Sequence, residues 1–282
     1  MRRLPLPPGL VERARAYAEG AATPVEPRDA ATVVLLRPDP SGSAVYLLRR
    51  HTSMAFAGGM CVFPGGGVDP RDSDHGVGWA GPAPAEWAAR LDVDERTARA
   101  LVCAAVRETF EESGVLLAGT PDGGVVPDTT GEDWEADRVA LERHELAFTE
   151  LLDRRGLVLR SDLLGAWAAW VTPVFEPRRY RTWFFVAALP EGQATREVSS
   201  ESASVMWLPT SDAPARADAG EVLMLPPTYL TCLDVARFGS PADVLAEAAR
   251  RRVSMFLPEV VTVDGEATLS VPPAYDALLA DR

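Results

Sequence analysis

Two strand-like runs, ATVVLL and AVYLLRR, flank RPDPSGS, a cluster of turn formers, and the pattern predicts an opening hairpin. A third short run, MCVF, leads into Pro64-Gly65-Gly66-Gly67. Consecutive glycines there admit backbone conformations closed to other residues and let another group come close to the main chain. After a Gly-, Pro- and Asp-rich stretch over 69–84, PAEWAARLDVDERTARALVCAAVRETFEESG is predicted helical, with its stop at Gly114. VLLA follows, then an amphipathic helical stretch over about 132–152, the strand-like runs TWFFVAAL and VMWL, and SPADVLAEAARRR as a helix. VVTVDGEATLSV near the C-terminus predicts a small hairpin. Strands and helices interleave throughout, which favours an α/β class with a mixed central sheet covered by helices on both faces. The expected organisation is an N-terminal extension over 1–27, a main domain over 28–240, and a C-terminal helix and tail over 241–282 packed on the same domain.

Composition narrows the chemistry. With 282 residues, 47% hydrophobic and 24% charged, the chain can bury a sizeable core. A formal net charge of −13 offers no basic field for a nucleic-acid backbone or an anionic membrane surface, whereas a small phosphorylated substrate arriving with a cation stays compatible. Every basic side chain except histidine is Arg, so nucleotide-binding, kinase and Schiff-base mechanisms that need a lysine are excluded. Cys61, Cys103 and Cys232 lie far apart without metal-ligand spacing and are expected as buried apolar residues in a reducing cytosol. The N-terminus has two arginines but no apolar run behind them, and no segment reaches membrane-span length. A cytoplasmic protein with neither a membrane nor a nucleic acid as partner is expected.

The densest chemistry lies in RETFEESG, residues 107–114. On a helix Glu108, Glu111 and Glu112 fall within an arc of roughly 100°, while Val102, Val106 and Phe110 take the opposite side. Like charges at these spacings repel by a few tenths of a kcal/mol when solvated and by more when partly buried. A divalent cation reverses that sign, and Mg²⁺ prefers carboxylates, waters and substrate phosphates. The alternative is a solvated acidic face in which Arg107 and Glu111 merely pair along the helix.

Together with the glycine turn, these residues resemble the Nudix hydrolases, whose signature is Gly, five residues, Glu, seven residues, then Arg-Glu-U-x-Glu-Glu-x-Gly-U, with U bulky and aliphatic. RETFEESGV matches the second half, with Thr109 at the first U; FPGGGVDPRD matches the first, with Gly66 followed after five residues by Asp72. Between Asp72 and Arg107 stand 34 residues, so a long insertion, centred on 73–94, splits the box. Such a split resembles the branch related to peroxisomal coenzyme A diphosphatases. LLRRHTSMAFAGGMCVFPGGG also resembles the segment that precedes the box in coenzyme A-cleaving members, with Ala55 where its second arginine would stand.

The resemblance implies a Nudix α/β/α sandwich and an Mg²⁺- or Mn²⁺-dependent diphosphatase. The substrate would be a small nucleoside diphosphate derivative, with coenzyme A or acyl-CoA leading. ADP-ribose or an NADH-type dinucleotide, or a non-hydrolytic nucleotide-binding module, are the alternatives. Glu108, Glu111, Glu112 and the Gly66 carbonyl are the expected metal ligands, and Glu111 is also a candidate for positioning water. Which glutamate is the general base stays open. Arg107 is expected to hold the cluster in place, with Asp72 as its partner across the insertion. Glu201, with Glu176 behind it, is the candidate for a further catalytic glutamate, and Arg50, Arg178, Arg179 and Arg181 are candidate substrate-binding residues. Whether the insertion covers the site or pads the surface is open, as is a homodimer.

Overall fold

The computed structural model describes residues 8–20, 23–54, 57–74, 76, 78–198, 200, 202–263 and 265–280, and the chain divides into two compact units. The larger takes in Ala30–Ala168 and Trp183–Ser254; the smaller takes in Met1–Asp29, Ala169–Thr182 and Met255–Arg282 and contains helix α1 (Pro8–Ala18).

In the larger unit the predicted hairpin is β1 (Arg28–Asp39) and β2 (Gly42–Arg50), closing at Asp39↔Gly42 with Ser41 N–H and Oγ both donating to Asp39. β3 (Cys61–Val62) pairs with β2, and β4 (Gly65–Gly67) pairs antiparallel with β1. There follow β5 (Trp79–Ala80), α2 (Pro84–Leu91), α3 (Glu95–Ser113), β6 (Ala118–Gly119), α4 (Glu132–Glu142), α5 (Phe148–Arg155) and β7 (Val158–Arg160). Strands β8 (Leu164–Val171), β9 (Tyr180–Ala188) and β10 (Ser202–Pro209) lead to α6 (Asp212–Asp218), α7 (Pro226–Val235) and α8 (Pro241–Ala248). The main sheet runs β10-β2-β1-β9-β8, and a small second sheet runs β5-β7-β6, with β5 parallel to β7.

Helices lie on both faces of the main sheet. Phe185 on β9 meets Trp87 of α2 edge-on, with ring centroids 5.8 Å apart. Its neighbour Val186 points the other way, as strand alternation requires, and shares a face with Gly165 of β8. A Cβ on Gly165 would stand 2.4 Å from the Ala248 Cβ and 3.1 Å from Val186, so α8 lies directly on the sheet there. The α/β/α layering expected from the interleaved pattern is thus present.

Two stretches expected as single helices are each broken in two. Asp92 adopts a left-handed conformation (φ 56°) and ends α2; Asp94 then caps α3, its carboxylate accepting the Thr97 N–H at 3.0 Å. His144, also left-handed (φ 58°), separates α4 from α5. Helices α1, α6 and α7 had no counterpart in the periodicity. The insertion is built into the core: its Trp87 is completely buried, and its β5 joins the second sheet. The three cysteines are buried free thiols.

In the smaller unit β11 (Met255–Phe256) runs parallel to the end of β8, and Trp170 packs between Phe256 and Tyr275 of α9 (Pro273–Ala280). The predicted C-terminal hairpin is β12 (Val260–Val263) with β13 (Glu266–Leu269). Among the described residues no helix is long and apolar enough to cross a membrane.

The Gly165 contact gives a direct test of the α8 layer. Gly165→Val should destabilise the protein by about 1–3 kcal/mol through overpacking, read as a fall in the urea midpoint. An unchanged midpoint would mean that α8 does not rest on this strand.

Candidate active site

The site is assembled at the C-terminal end of α3, where the helix meets the glycine strand β4. Pro70 starts a single 3₁₀ turn over Pro70–Ser73, capped by Asp69; Asp72 accepts the Asp69 N–H at 2.8 Å, and Asp69 accepts the Arg71 N–H at 2.8 Å. This reciprocal cap fixes the Asp72 carboxylate, which is 2% exposed, at the far side of the insertion.

Arg107 reaches across to it. Nε donates to Asp72 Oδ1 at 3.0 Å and Nη2 to Oδ2 at 3.0 Å, a two-pronged pair inside the protein. Nη2 also donates to the Gly67 carbonyl at 2.9 Å, while Nη1 holds Glu108 Oε1 at 2.7 Å and Glu111 Oε1 at 3.1 Å. Glu112 is fixed separately, accepting the Gly65 N–H at 2.7 Å. Gly66 is where another side chain would do most harm: its Cβ would lie 2.6 Å from both Glu108 carboxylate oxygens. Only glycine leaves that space to the carboxylate.

Burial sets the protonation of the cluster. It pushes the Glu108 carboxyl up to about 8, against the pull of Arg107 and with the added repulsion of Glu111. Burial likewise raises Glu111, again opposed by Arg107. Burial alone would lower the Arg107 pKa, but Glu108, Asp72 and Glu111 outweigh it and keep the guanidinium charged. Three acidic side chains, Asp72, Glu108 and Glu111, therefore share one buried cation, with Glu112 held beside them by the Gly65 N–H.

That donor set fits a hard divalent cation. The side-chain donors are all carboxylate oxygens, buried or nearly so, and the Gly66 cradle leaves Glu108 unobstructed. Among the described residues no three metal-binding side chains gather around one point. Mg²⁺ does not require three, because it keeps waters and takes substrate phosphates beside one or two carboxylates.

The structure thus brings together Gly66, Arg107, Glu108, Glu111 and Glu112. Arg50 ends β2, paired with Ser202 of β10. Glu201 lies outside the described residues. Glu176 belongs to the smaller unit and pairs with Arg13 at 3.2 Å. Of Arg178, Arg179 and Arg181, expected to face substrate phosphates, Arg179 is the one the structure buries. Arg179 is buried and donates to the carbonyls of Val25 and Thr172 at 2.8 and 3.1 Å; Arg181 is neutralised by Asp29 at 2.6 Å and Glu26 at 3.3 Å. Arg178 is exposed. His144, for which the sequence showed no catalytic spacing, places its Nδ1 3.7 Å from Asp69. A left-handed histidine between two helices leaves no trace in the periodicity.

A family model for the NUDT19 Nudix domain matches residues 92–237. Acyl-coenzyme A diphosphatase NUDT19 of Homo sapiens is 29% identical over 248 residues, covering 74% of this chain and 64% of that protein. Its Gallus gallus namesake is 27% identical over 267 residues, covering 77% and 70%. A putative nudix hydrolase 7 of Caenorhabditis elegans is 28% identical over 188 residues, covering 65% and 52%, so the chain spans only about half of that relative. A crystal structure of a Nudix hydrolase from Alicyclobacillus acidocaldarius superposes with a TM-score of 0.66 at 26% identity, covering 79% of this chain and 96% of that one.

The raised Glu108 pKa has a signed consequence. The folded state holds this proton more tightly than the unfolded chain, whose carboxyl titrates near 4.5. Its stabilising contribution is full below that value and is lost as pH rises through about 8. Mn²⁺ competes with the proton, so its stabilising effect should be larger at pH 8.5 than at pH 5.5. At about 100 times its Kd, Mn²⁺ should add about 2.7 kcal/mol at the higher pH, roughly 5–10 °C in Tm. Scanning calorimetry with Mn²⁺ or chelator checks this, and equal shifts at the two pH values would contradict the assignment.

Proposed function

Because this chain belongs to the Nudix hydrolases, in the family of the NUDT19 Nudix domain, we propose that it is a divalent-metal-dependent diphosphatase that hydrolyses the pyrophosphate of coenzyme A or acyl-CoA. The observation that carries the reaction is the buried cluster of Glu108, Glu111 and Glu112 around Arg107, opposite the Gly66 cradle. The substrate rests on the vertebrate relatives that bear the name acyl-coenzyme A diphosphatase.

A pyrophosphate resists water largely because its own negative oxygens repel a nucleophile. Carboxylates of the Glu108, Glu111 and Glu112 cluster would hold Mg²⁺ or Mn²⁺, which when bound would neutralise those oxygens and acidify a water. The protein's own part is to keep the carboxylates in place. Arg107 fixes Glu108 and Glu111 through one nitrogen and is itself anchored by Asp72 and the Gly67 carbonyl, while the Gly65 N–H orients Glu112. The water oxygen bonds to one phosphorus, the bridging P–O bond breaks, and the proton passes to the carboxylate cluster.

Glu112→Gln should lower turnover by orders of magnitude and leave the fold intact, since it also removes a repulsion. The assay is mass detection of products from CoA, acetyl-CoA, ADP-ribose and NADH, each with Mg²⁺, Mn²⁺ or chelator. Metal-dependent release of 3′,5′-ADP and 4′-phosphopantetheine from CoA, absent in Glu112→Gln, is the expected outcome. Cleavage of ADP-ribose or NADH alone would keep the reaction and discard the substrate. Nucleotide binding without any turnover would point to a binding module.

A further inference from the structure

The C-terminal turn of α3 is an awkward place for three glutamates. The last carbonyls of a helix lack intrahelical donors and carry the negative end of its dipole. Glu108, Glu111 and Glu112 place three acidic side chains at that end. Val115 N–H, which would otherwise continue the helix onto Glu111, donates instead to Ser113 Oγ at 3.2 Å. The exposed ends of the turn are taken up from outside: Arg196 N–H donates to the Ser113 carbonyl at 2.9 Å and Thr129 Oγ1 to the Gly114 carbonyl at 2.6 Å.

The Glu111 carbonyl receives a charged donor. Arg138 of α4 is 2% exposed, and its Nη1 reaches that oxygen at 2.8 Å. The same guanidinium is gripped on its other edges by Glu135, with Nη2 at 2.7 Å and Nε at 3.1 Å, and by Glu142 at 3.1 Å. Each gripping carboxylate has a second task. Glu135 also accepts from Arg196 Nη1 at 2.7 Å, and Glu142 accepts from Ser200 N–H at 2.9 Å and its Oγ at 2.6 Å. Burying a guanidinium is expensive, and water could cap a carbonyl at far lower cost. A rigid, paired cation at this oxygen makes sense where the orientation of the turn itself matters.

We propose that Arg138 is a positioning residue for the metal site. It locks the last turn of α3 so that Glu111 and Glu112 leave the helix in a fixed direction, and it offsets the negative helix end beneath them. The inference rests on the reading of the cluster as a metal site.

The test is direct Mn²⁺ binding to the full chain without substrate, followed by electron paramagnetic resonance of the free ion. Arg138→Gln should weaken Mn²⁺ by about 10–100-fold, the range for residues that hold metal ligands in place. Arg138→Lys should recover part of the loss, because an ammonium can still donate to the Glu111 carbonyl. KM for the cleaved substrate at saturating Mn²⁺ should stay within about twofold. Gly165→Ala, a strained variant whose added Cβ meets Ala248 and Val186, controls for lost stability and should bind Mn²⁺ as the parent does. Arg138→Gln binding Mn²⁺ like the parent would overturn the inference. If Arg138→Gln does not fold, Glu142→Gln, which loosens Arg138 in place, is read in the same way; failure of both to fold would assign Arg138 to the fold and overturn it too. A parent that binds no Mn²⁺ would overturn the metal site and this inference together, whereas a parent that binds it with an indifferent Arg138 would overturn this inference alone.

Discussion

Everything at the site depends on one guanidinium held among carboxylates. Arg107 joins Asp72 on one side of the insertion to Glu108 and Glu111 on the other, and adds a bond to the Gly67 carbonyl. A buried cation with a single partner would be costly; one with three carboxylates and a carbonyl is satisfied on every edge. The carboxylates gain less. Burial raises the proton affinity of Glu108 and Glu111, against the pull of Arg107. The side chains of the site are therefore held in place by several partners each, while burial favours the protonated forms of Glu108 and Glu111.

The surrounding fold supplies that rigidity from several directions. β4 brings backbone close to Glu108 and Glu112 because three glycines leave no side chain in the way, and β1 holds β4 in register through Ala31↔Gly66. Asp69 and Pro70 shape the short turn that presents Asp72. α3 itself is anchored by Asp94 at its start and by Gly114, left-handed at φ 74°, at its end.

Much of this was legible in the sequence, and for identifiable reasons. The glutamate spacing on one helical face, the glycine run and the acidic residue five positions beyond Gly66 are local patterns. The pairing of Asp72 with Arg107 followed from aligning the two halves of one signature. The apolar runs of β1, β2 and β9, and the turn formers between the first two, were strong enough to give strands and layers. What stayed hidden depends on partners distant in the chain. Arg179 and Arg181 look like a phosphate-binding cluster until Val25, Glu26 and Asp29 are seen to occupy them. Arg138 sits in a helix whose amphipathic pattern gives no hint that its cation is aimed at the end of another. The breaks at Asp92 and His144 are single left-handed residues, which hydrophobic periodicity passes over.

The insertion between the two halves of the signature bears on how freely such a box can be lengthened. In a flexible chain, lengthening a loop from 7 to the 34 residues found between Asp72 and Arg107 costs only about 1.4 kcal/mol of closure entropy, since the cost grows with the logarithm of length. Here the intervening residues recover that and more by burying Trp87 and Leu91 and adding β5 to a sheet. The chemistry constrains where the two ends of the segment meet. Its length is not fixed by that meeting point, and the small entropic cost of the excursion is offset because the segment forms part of the hydrophobic interior.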